Sequence, residues 1–437
     1  MRFIPAGSAA SSTGSYFSGP VAIQGDFIID QDVTFANAEV TVAPGGHIVM
    51  EPGRYLRIET SSFEACNGVF WKGITADDGC IVLMNNSSIA DAENAHQALS
   101  SAILIVDDSE IANNRVAISV PEQGQFNSVA IEVSGTTFHA EGPLAQPYAN
   151  QQSVLGAQGY AAFDINDMAL EFTGIGNTMH HLSNGIVANQ CDVTVAECAF
   201  TDIQPDPAYD ELEGNGAAIN AYGGKGWHTL KQAGPGMTEP PNIERCRWGL
   251  FTAYMNVYGR DNNMLDMGTA YRIMRSGYRD VDIINNKVRT LYNGMDLLAN
   301  DGAAHILVQN NSITFGDYTG CSENCPAYIG INVSEGNYEN PNSVIRNNTI
   351  HFLPLASSRT GINLLAADRW LVADNQLNMV HNIFNQYGVQ LDGCNGTEVS
   401  CNTISSTDQT LINDRQAAIR NFMGSRPLIS CSDMNWT

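Results

Sequence analysis

Short runs of alternating apolar residues recur along the chain, among them "IVLM", "ILIV", "VAIEV", "DVTV", "VDII", "HILV" and "TEVS". A period of two belongs to strands, and no comparable series at i, i+3 and i+4 marks a helix. After each run stands a polar phrase built on asparagine or aspartate and closed by an apolar residue. "IINNKV" holds Asn285, Asn286 and Val288, and "VQNNSITF" holds Asn310, Asn311 and Ile313. "VIRNNTIHF", "VADNQL", "VSCNTI" and "LMNNSSIAD" are further copies, and "VDDSEI" is a looser one. A second apolar pair near glycine then follows, as in "NGMDLL", "YIGINV", "TGINLL" and "YGVQL".

The closing apolar residues are regularly spaced. Ile89 and Ile111 are 22 apart, and Ile350, Leu377 and Ile404 follow at steps of 27. A unit of that length with two or three short strands cannot bury its own apolar side. Stacking units solves this, because each strand pairs with its equivalent in the next rung and inward side chains form a continuous core. The pattern predicts an all-β chain folded as a right-handed single-stranded parallel β-helix. Residues 1–26 read as an N-terminal cap and 27–437 as one β-helix domain. Long insertions are expected near 139–162, 203–242, 259–280 and 316–328.

The asparagine phrase reads as a corner. Asparagine tolerates a left-handed or bridging backbone, and stacked amides can bond in a ladder along the axis. Cys401 takes the place of the first asparagine in its copy, and Cys198 precedes Phe200 as Asn286 precedes Val288. Ten cysteines lack the C-x-x-C pairs or histidine spacing of a zinc site, so no metal is expected from them. Their pairing in sequence points instead to disulfides Cys66–Cys80, Cys191–Cys198, Cys321–Cys325 and Cys394–Cys401 and to an oxidising compartment. The sequons at Asn85, Asn332, Asn347 and Asn395 fall on corner phrases and are not expected to carry glycans.

Acidic residues number 46 against 21 basic ones, a net charge of −25. Such a field repels nucleic acid and anionic lipid. No apolar run is long enough to insert into a membrane. Calcium could be drawn by the carboxylates, but no D-x-D-x-D-G loop is present and a site would have to be assembled from separate segments.

"CNGVFWKGI" with Cys66, Trp71, Gly73 and Ile74, followed by "NSSIADA", resembles secreted β-helix proteins of bacteria that use type IX secretion. "LDGCNGTEVSCNTI" resembles another phrase of that group. The resemblance covers most of the chain, from about Phe27 to Thr437, and rests on scaffold motifs. It implies an extracellular or cell-surface location, with a C-terminal sorting domain that would follow Thr437. Members include polysaccharide-active enzymes and adhesins, so it does not imply one activity. The N-T-D, G-H-G and R-I-K phrases of polygalacturonase-like enzymes are absent, as are W-I-D-H and R-x-P-x-x-R of pectate-lyase-like ones.

Two segments could carry a ligand. In the first, Arg272, Arg275 and Arg279 alternate with Asp266 and Asp280 in a chain otherwise poor in cations. Guanidinium forks hold carboxylates by two-point contact, so an acidic sugar is one candidate ligand, and an internal ion-pair network is the other use of these residues. The second is a Gly/Pro-rich stretch with Tyr222, Trp227 and His228, where exposed rings could stack on sugars or pin the loop. The expected function is a structural, adhesive or filament-forming surface protein, with polysaccharide or further copies of itself as partners. The alternative is a polysaccharide lyase or glycoside hydrolase on an acidic polysaccharide. Two carboxylates converging on one of the three arginines would favour the enzyme.

Overall fold

A computed structural model describes residues 1–123, 128–141, 144–146, 159–172, 176–205, 214–224, 226–298, 305–316, 327–334, 343–353, 358–379, 385–406, 416–422, 426–430 and 433–436. Cys321, Cys325 and Cys431 lie outside them. The chain divides into two compact units, Met1–Ala221 and Tyr222–Thr437.

In the N-terminal unit one rung consists of Ile81–Asn85, Ser88–Ala90 and Ala92–Ala98. The next is Ile103–Asp107, Glu110–Ala112 and Val116–Val120. Equivalent strands pair in parallel, with Ile81 opposite Ile103, Ile89 opposite Ile111 and Asn94 opposite Val116. Inward positions therefore stack into files: Ile89, Ile111, Phe138, Met179 and Phe200 lie in register and are buried. The C-terminal unit repeats this with Val288, Ile313, Ile350, Leu377 and Ile404. These are the apolar residues that close the sequence phrases, and the architecture is the right-handed parallel β-helix. Among the described residues the α-helix is confined to Ala10–Thr13, and no helix is long and apolar enough to cross a membrane.

Residues 1–26 hold strands Arg2–Ile4 and Tyr16–Ile23, the latter parallel to Val33–Val42. Residues 259–280, where an insertion is expected, contain the twelve-residue strand Asn263–Met274, which pairs in parallel with Lys287–Leu298 with register shifts between Met264 and Met267 and between Met267 and Thr269.

In "LMNNSSIAD" the left-handed residue is Asn86, and Ser87 takes the ladder position. In the C-terminal unit the two members of each phrase do different work. The first is left-handed: Asn285, Asn310, Asn347, Asp374 and Cys401 have φ of 58, 57, 55, 56 and 51°. The second is buried and joins a ladder. Asn262, Asn286, Asn311, Asn348 and Asn375 each pass a side-chain N–H to the amide oxygen of the next, at 2.9–3.0 Å, and Asn402 is the last acceptor. The same oxygens accept the backbone N–H of the preceding member. In the N-terminal unit Ser61, Ser87, Ser109, Thr136 and Asn177 hold the equivalent positions. A buried corner cannot leave its backbone groups unpaired, and one small polar side chain per rung satisfies them.

This geometry corrects the cysteine expectation. Cys191 and Cys198 flank the extended strand Asp192–Ala196. The strand alone, at about 3.3 Å per residue, spans roughly 16 Å from Cys191 to Ala196, whereas a disulfide needs Cα atoms within about 7 Å. Cys394 and Cys401 stand at opposite ends of Asn395–Ser400 and form no bond with each other. Trp71–Ala76 lies between Cys66 and Cys80, which are both thiols, as are Cys191 and Cys198. The sulfurs act as corner donors instead. Cys191 Sγ is 3.2 Å from the Asn189 carbonyl and Cys198 Sγ is 3.2 Å from that of Ala196, two residues back, where Ser87 and Ser109 use hydroxyls. Burial pushes both thiols up to about 12, which keeps them protonated donors.

Candidate functional site

The arginine-rich segment does not gather at one place. Arg272 projects from the strand Asn263–Met274 and stands in register with Asp296. Its Nη1 is 3.4 Å from Asp296 Oδ2, and its guanidinium lies 5.0 Å from the centre of the Trp248 ring. Asp296 is buried and also accepts from Asn332 Nδ2 at 2.7 Å, while Asn363 Nδ2 donates to Asn332 Oδ1 at 2.7 Å. Arg272 thus heads a polar file that runs across four strands.

Arg275 and Arg279 belong to a corner. Tyr254 and Arg275 occupy equivalent left-handed positions on successive rungs, with φ of 58 and 53°. Tyr254 N–H donates to the Met274 carbonyl at 3.2 Å, and Arg275 N–H to that of Leu298 at 3.0 Å. Gly223 N–H continues the pattern to the Ala253 carbonyl at 2.9 Å. The rings of Tyr222 and Tyr254 meet edge to face at 5.4 Å, and Arg275 Nη1 is 3.4 Å from the Tyr254 hydroxyl. Arg279 lies 5.5 Å from the centre of the Trp227 ring. Its guanidinium donates to the carbonyls of Ser276, Gly224 and Gly226, tying the turn at 276–279 to the loop that carries Trp227. Tyr222, Trp227 and Tyr278 remain open to solvent at 45, 71 and 77%. His228 enters the strand Thr229–Ala233, and its carbonyl accepts the Asn256 N–H at 2.9 Å.

The acidic members lie elsewhere. Asp266 is held by Arg289 through two bonds of 2.6 Å. Asp280 opens the strand Asp280–Ile284, its N–H bonded to Asn256 Oδ1 at 3.0 Å. The eight residues proposed from sequence therefore divide. Tyr222, Trp227, Arg275 and Arg279 share the corner, with His228 adjoining in the chain. Arg272 sits on a sheet face, and Asp266 and Asp280 serve ion pairing and strand entry. Tyr254, Tyr278 and Trp248 were not singled out in the sequence, although Tyr278 is next to Arg279. Chemically the corner offers ring faces and anchored cationic donors. Among the described residues, the grouping of three metal-capable side chains is His139, Glu141 and His180 in the N-terminal unit.

No family model matches the sequence, and no curated protein matches it. Among solved structures, a mutant of the periplasmic alginate epimerase AlgG is 12% identical over 95% of this chain and 76% of its own, with a TM-score of 0.30. The A-module of the Azotobacter vinelandii mannuronan C-5 epimerase AlgE4 is 12% identical over 96% and 89%, with a TM-score of 0.26. A tailspike protein of an E. coli bacteriophage, in complex with a pentasaccharide, is 11% identical over 97% and 71%, with a TM-score of 0.27. Likenesses of this size do not reach to substrate or activity.

Proposed function

We propose that the chain is an extracellular or cell-surface β-helix protein with a structural or adhesive role, which holds carbohydrate at the corner formed by Tyr222, Trp227, Tyr254, Arg275 and Arg279. The observation that carries this reading is the exposure of Tyr222, Trp227 and Tyr278 beside two arginines fastened to their own protein. Sugar C–H faces pack on rings, while fixed guanidinium N–H groups donate to hydroxyl or carboxylate oxygens. Tyr222 and Tyr254 sit at strand ends on neighbouring rungs, and Arg279 ties down the loop that carries Trp227, which lowers the entropic cost of ordering these rings on binding. The scaffold phrases, which resemble those of surface proteins, support the location.

Glycoside cleavage asks for two carboxylates about a sugar. Arg272 meets one, Asp296, while Arg275 and Arg279 meet rings and carbonyls. Among the described residues these contacts do not bring two carboxylates to one of the three arginines, and the lyase or hydrolase stands as the second reading.

Binding of the full chain to a panel of neutral and acidic polysaccharides tests it, with reducing ends and unsaturated products followed in parallel. The expected result is binding without product, weakened about 30-fold by Trp227→Ala, the size of an aromatic hot-spot truncation. Product release that Asp296→Asn abolishes would establish the enzyme instead. Absence of binding across the panel would sink the carbohydrate reading.

A further inference from the structure

The outer face of the N-terminal unit carries a second arrangement, remote in chemistry from the aromatic corner. Strands Thr137–His139 and Thr178–His180 pair in parallel with His139 opposite His180. Their rings stack at 4.9 Å and 7°. His139 Nε2 is 2.8 Å from Glu110 Oε1, which fixes the ring proton on Nε2 and leaves a lone pair on Nδ1. That Nδ1 is buried and has no hydrogen-bond partner. It faces Glu141 Oε1 at 4.0 Å. The separation is too long for a hydrogen bond, which needs about 2.7–3.2 Å. Two ligand atoms on one tetrahedral zinc, each bonded at about 2.0–2.2 Å, stand about 3.4 Å apart, so the exposed Glu141 side chain would move inward by about 0.6 Å to share an ion with His139.

His180 is oriented in a similar way. Its Nδ1 is 3.0 Å from His181 Nδ1, and His181 Nε2 stands 3.8 Å from Asp202 Oδ2. With His180 as the donor of that Nδ1–Nδ1 bond, its Nε2 keeps a lone pair for a ligand.

We infer that His139, Glu141 and His180 form a site for a divalent first-row transition ion, with zinc the best match. One ligand atom from each lies within 4.8 Å of the others, and Glu141 is exposed and able to turn inward. Two imidazoles and one carboxylate suit zinc, nickel or copper, whereas calcium and magnesium prefer sets of oxygens. Glu110 has the part of the outer carboxylate that sets the tautomer of a metal-binding histidine. Three protein ligands leave a fourth position open to water or a ligand atom.

Titration of zinc into the metal-free full chain, followed by calorimetry, tests the site. The expected result is one high-affinity zinc per chain, lost in the double variant His139→Ala, His180→Ala and kept in His305→Ala. Glu110→Gln should weaken it about 10- to 100-fold, as outer carboxylates of this kind do. Acid should weaken binding, because protons compete with the metal for imidazole nitrogens. If the double variant does not fold, Glu141→Gln, at an exposed position, replaces it and should weaken binding at least tenfold. Zinc binding that these changes leave intact, or an unaltered chain that binds none, would overturn the inference.

Discussion

Asn311 shows how much one side chain does in this fold. Its Nδ2 donates to the Ile283 carbonyl at 2.9 Å and to Asn348 Oδ1 at 2.9 Å, while its Oδ1 accepts from the backbone and side chain of Asn286. Asn311→Ala strands several of these buried groups, and each costs about 1–3 kcal/mol. A fall in melting temperature of at least about 5 °C is expected, at about 2–4 °C per kcal/mol for units of this size; an unchanged value would remove the ladder from the account of stability. The repeated phrase made this residue legible, because backbone need and side-chain chemistry coincide at one position. The cysteines were misread for a related reason: a spacing of seven says nothing about whether the residues between are folded back or extended. His96 was not legible at all. It sits in register between Ile74 and Ile118, fully buried, with neither ring nitrogen bonded. Burial takes it down from the ordinary 6.5 to about 4. The unfolded chain therefore binds a proton that the folded one refuses, and stability falls as pH drops from about 6.5 to about 4. His96→Ile fits the apolar file, and its unfolding midpoint should be less sensitive to pH across that window. Equal sensitivity in both chains would refute the assignment.

At the level of the strand, the glycine in each second apolar phrase has a steric cause. Gly294, Gly330, Gly361 and Gly388 occupy one file in the C-terminal unit. A Cβ on Gly330 would lie 2.5 Å from the Gly361 carbonyl oxygen and 2.6 Å from Ile350 Cδ1, and the other three meet the next rung just as closely. Successive rungs can approach at sheet spacing there only without a side chain. Gly330→Ala should destabilise the unit by about 1–3 kcal/mol, the range for overpacking, measured as a shift of the thermal midpoint. A variant as stable as the parent would show that the rungs can part. The strand periodicity in the sequence was enough to find these elements and their register. It did not find the strand Asn263–Met274, because Arg and Asp in that stretch imitate the composition of a loop. Nor did it bring Tyr254 to Tyr222, since that contact depends on which rungs are neighbours and the intervening loop lengths vary.

Over the whole molecule, a net charge of −25 decides which sugars the corner can hold. Arg275 and Arg279 are a small positive patch within that field, and both are already engaged with Tyr254, Trp227 and loop carbonyls. An acidic polysaccharide would gain short-range contacts there but meet repulsion from the rest of the surface. The Debye length shrinks from about 30 Å at 0.01 M salt to about 8 Å at 0.15 M, so added salt removes the long-range repulsion before the close contacts. Affinity for an acidic polysaccharide should hold or rise over that interval, and affinity for a neutral one should not change. Arg279→Gln should lower both, because it releases the loop that positions Trp227. Arg272→Gln should act differently, leaving Asp296 buried without its cation and lowering stability rather than affinity. An acidic ligand whose affinity instead falls steeply with salt would mean that counter-charge dominates, and the assignment of recognition to the rings would be wrong.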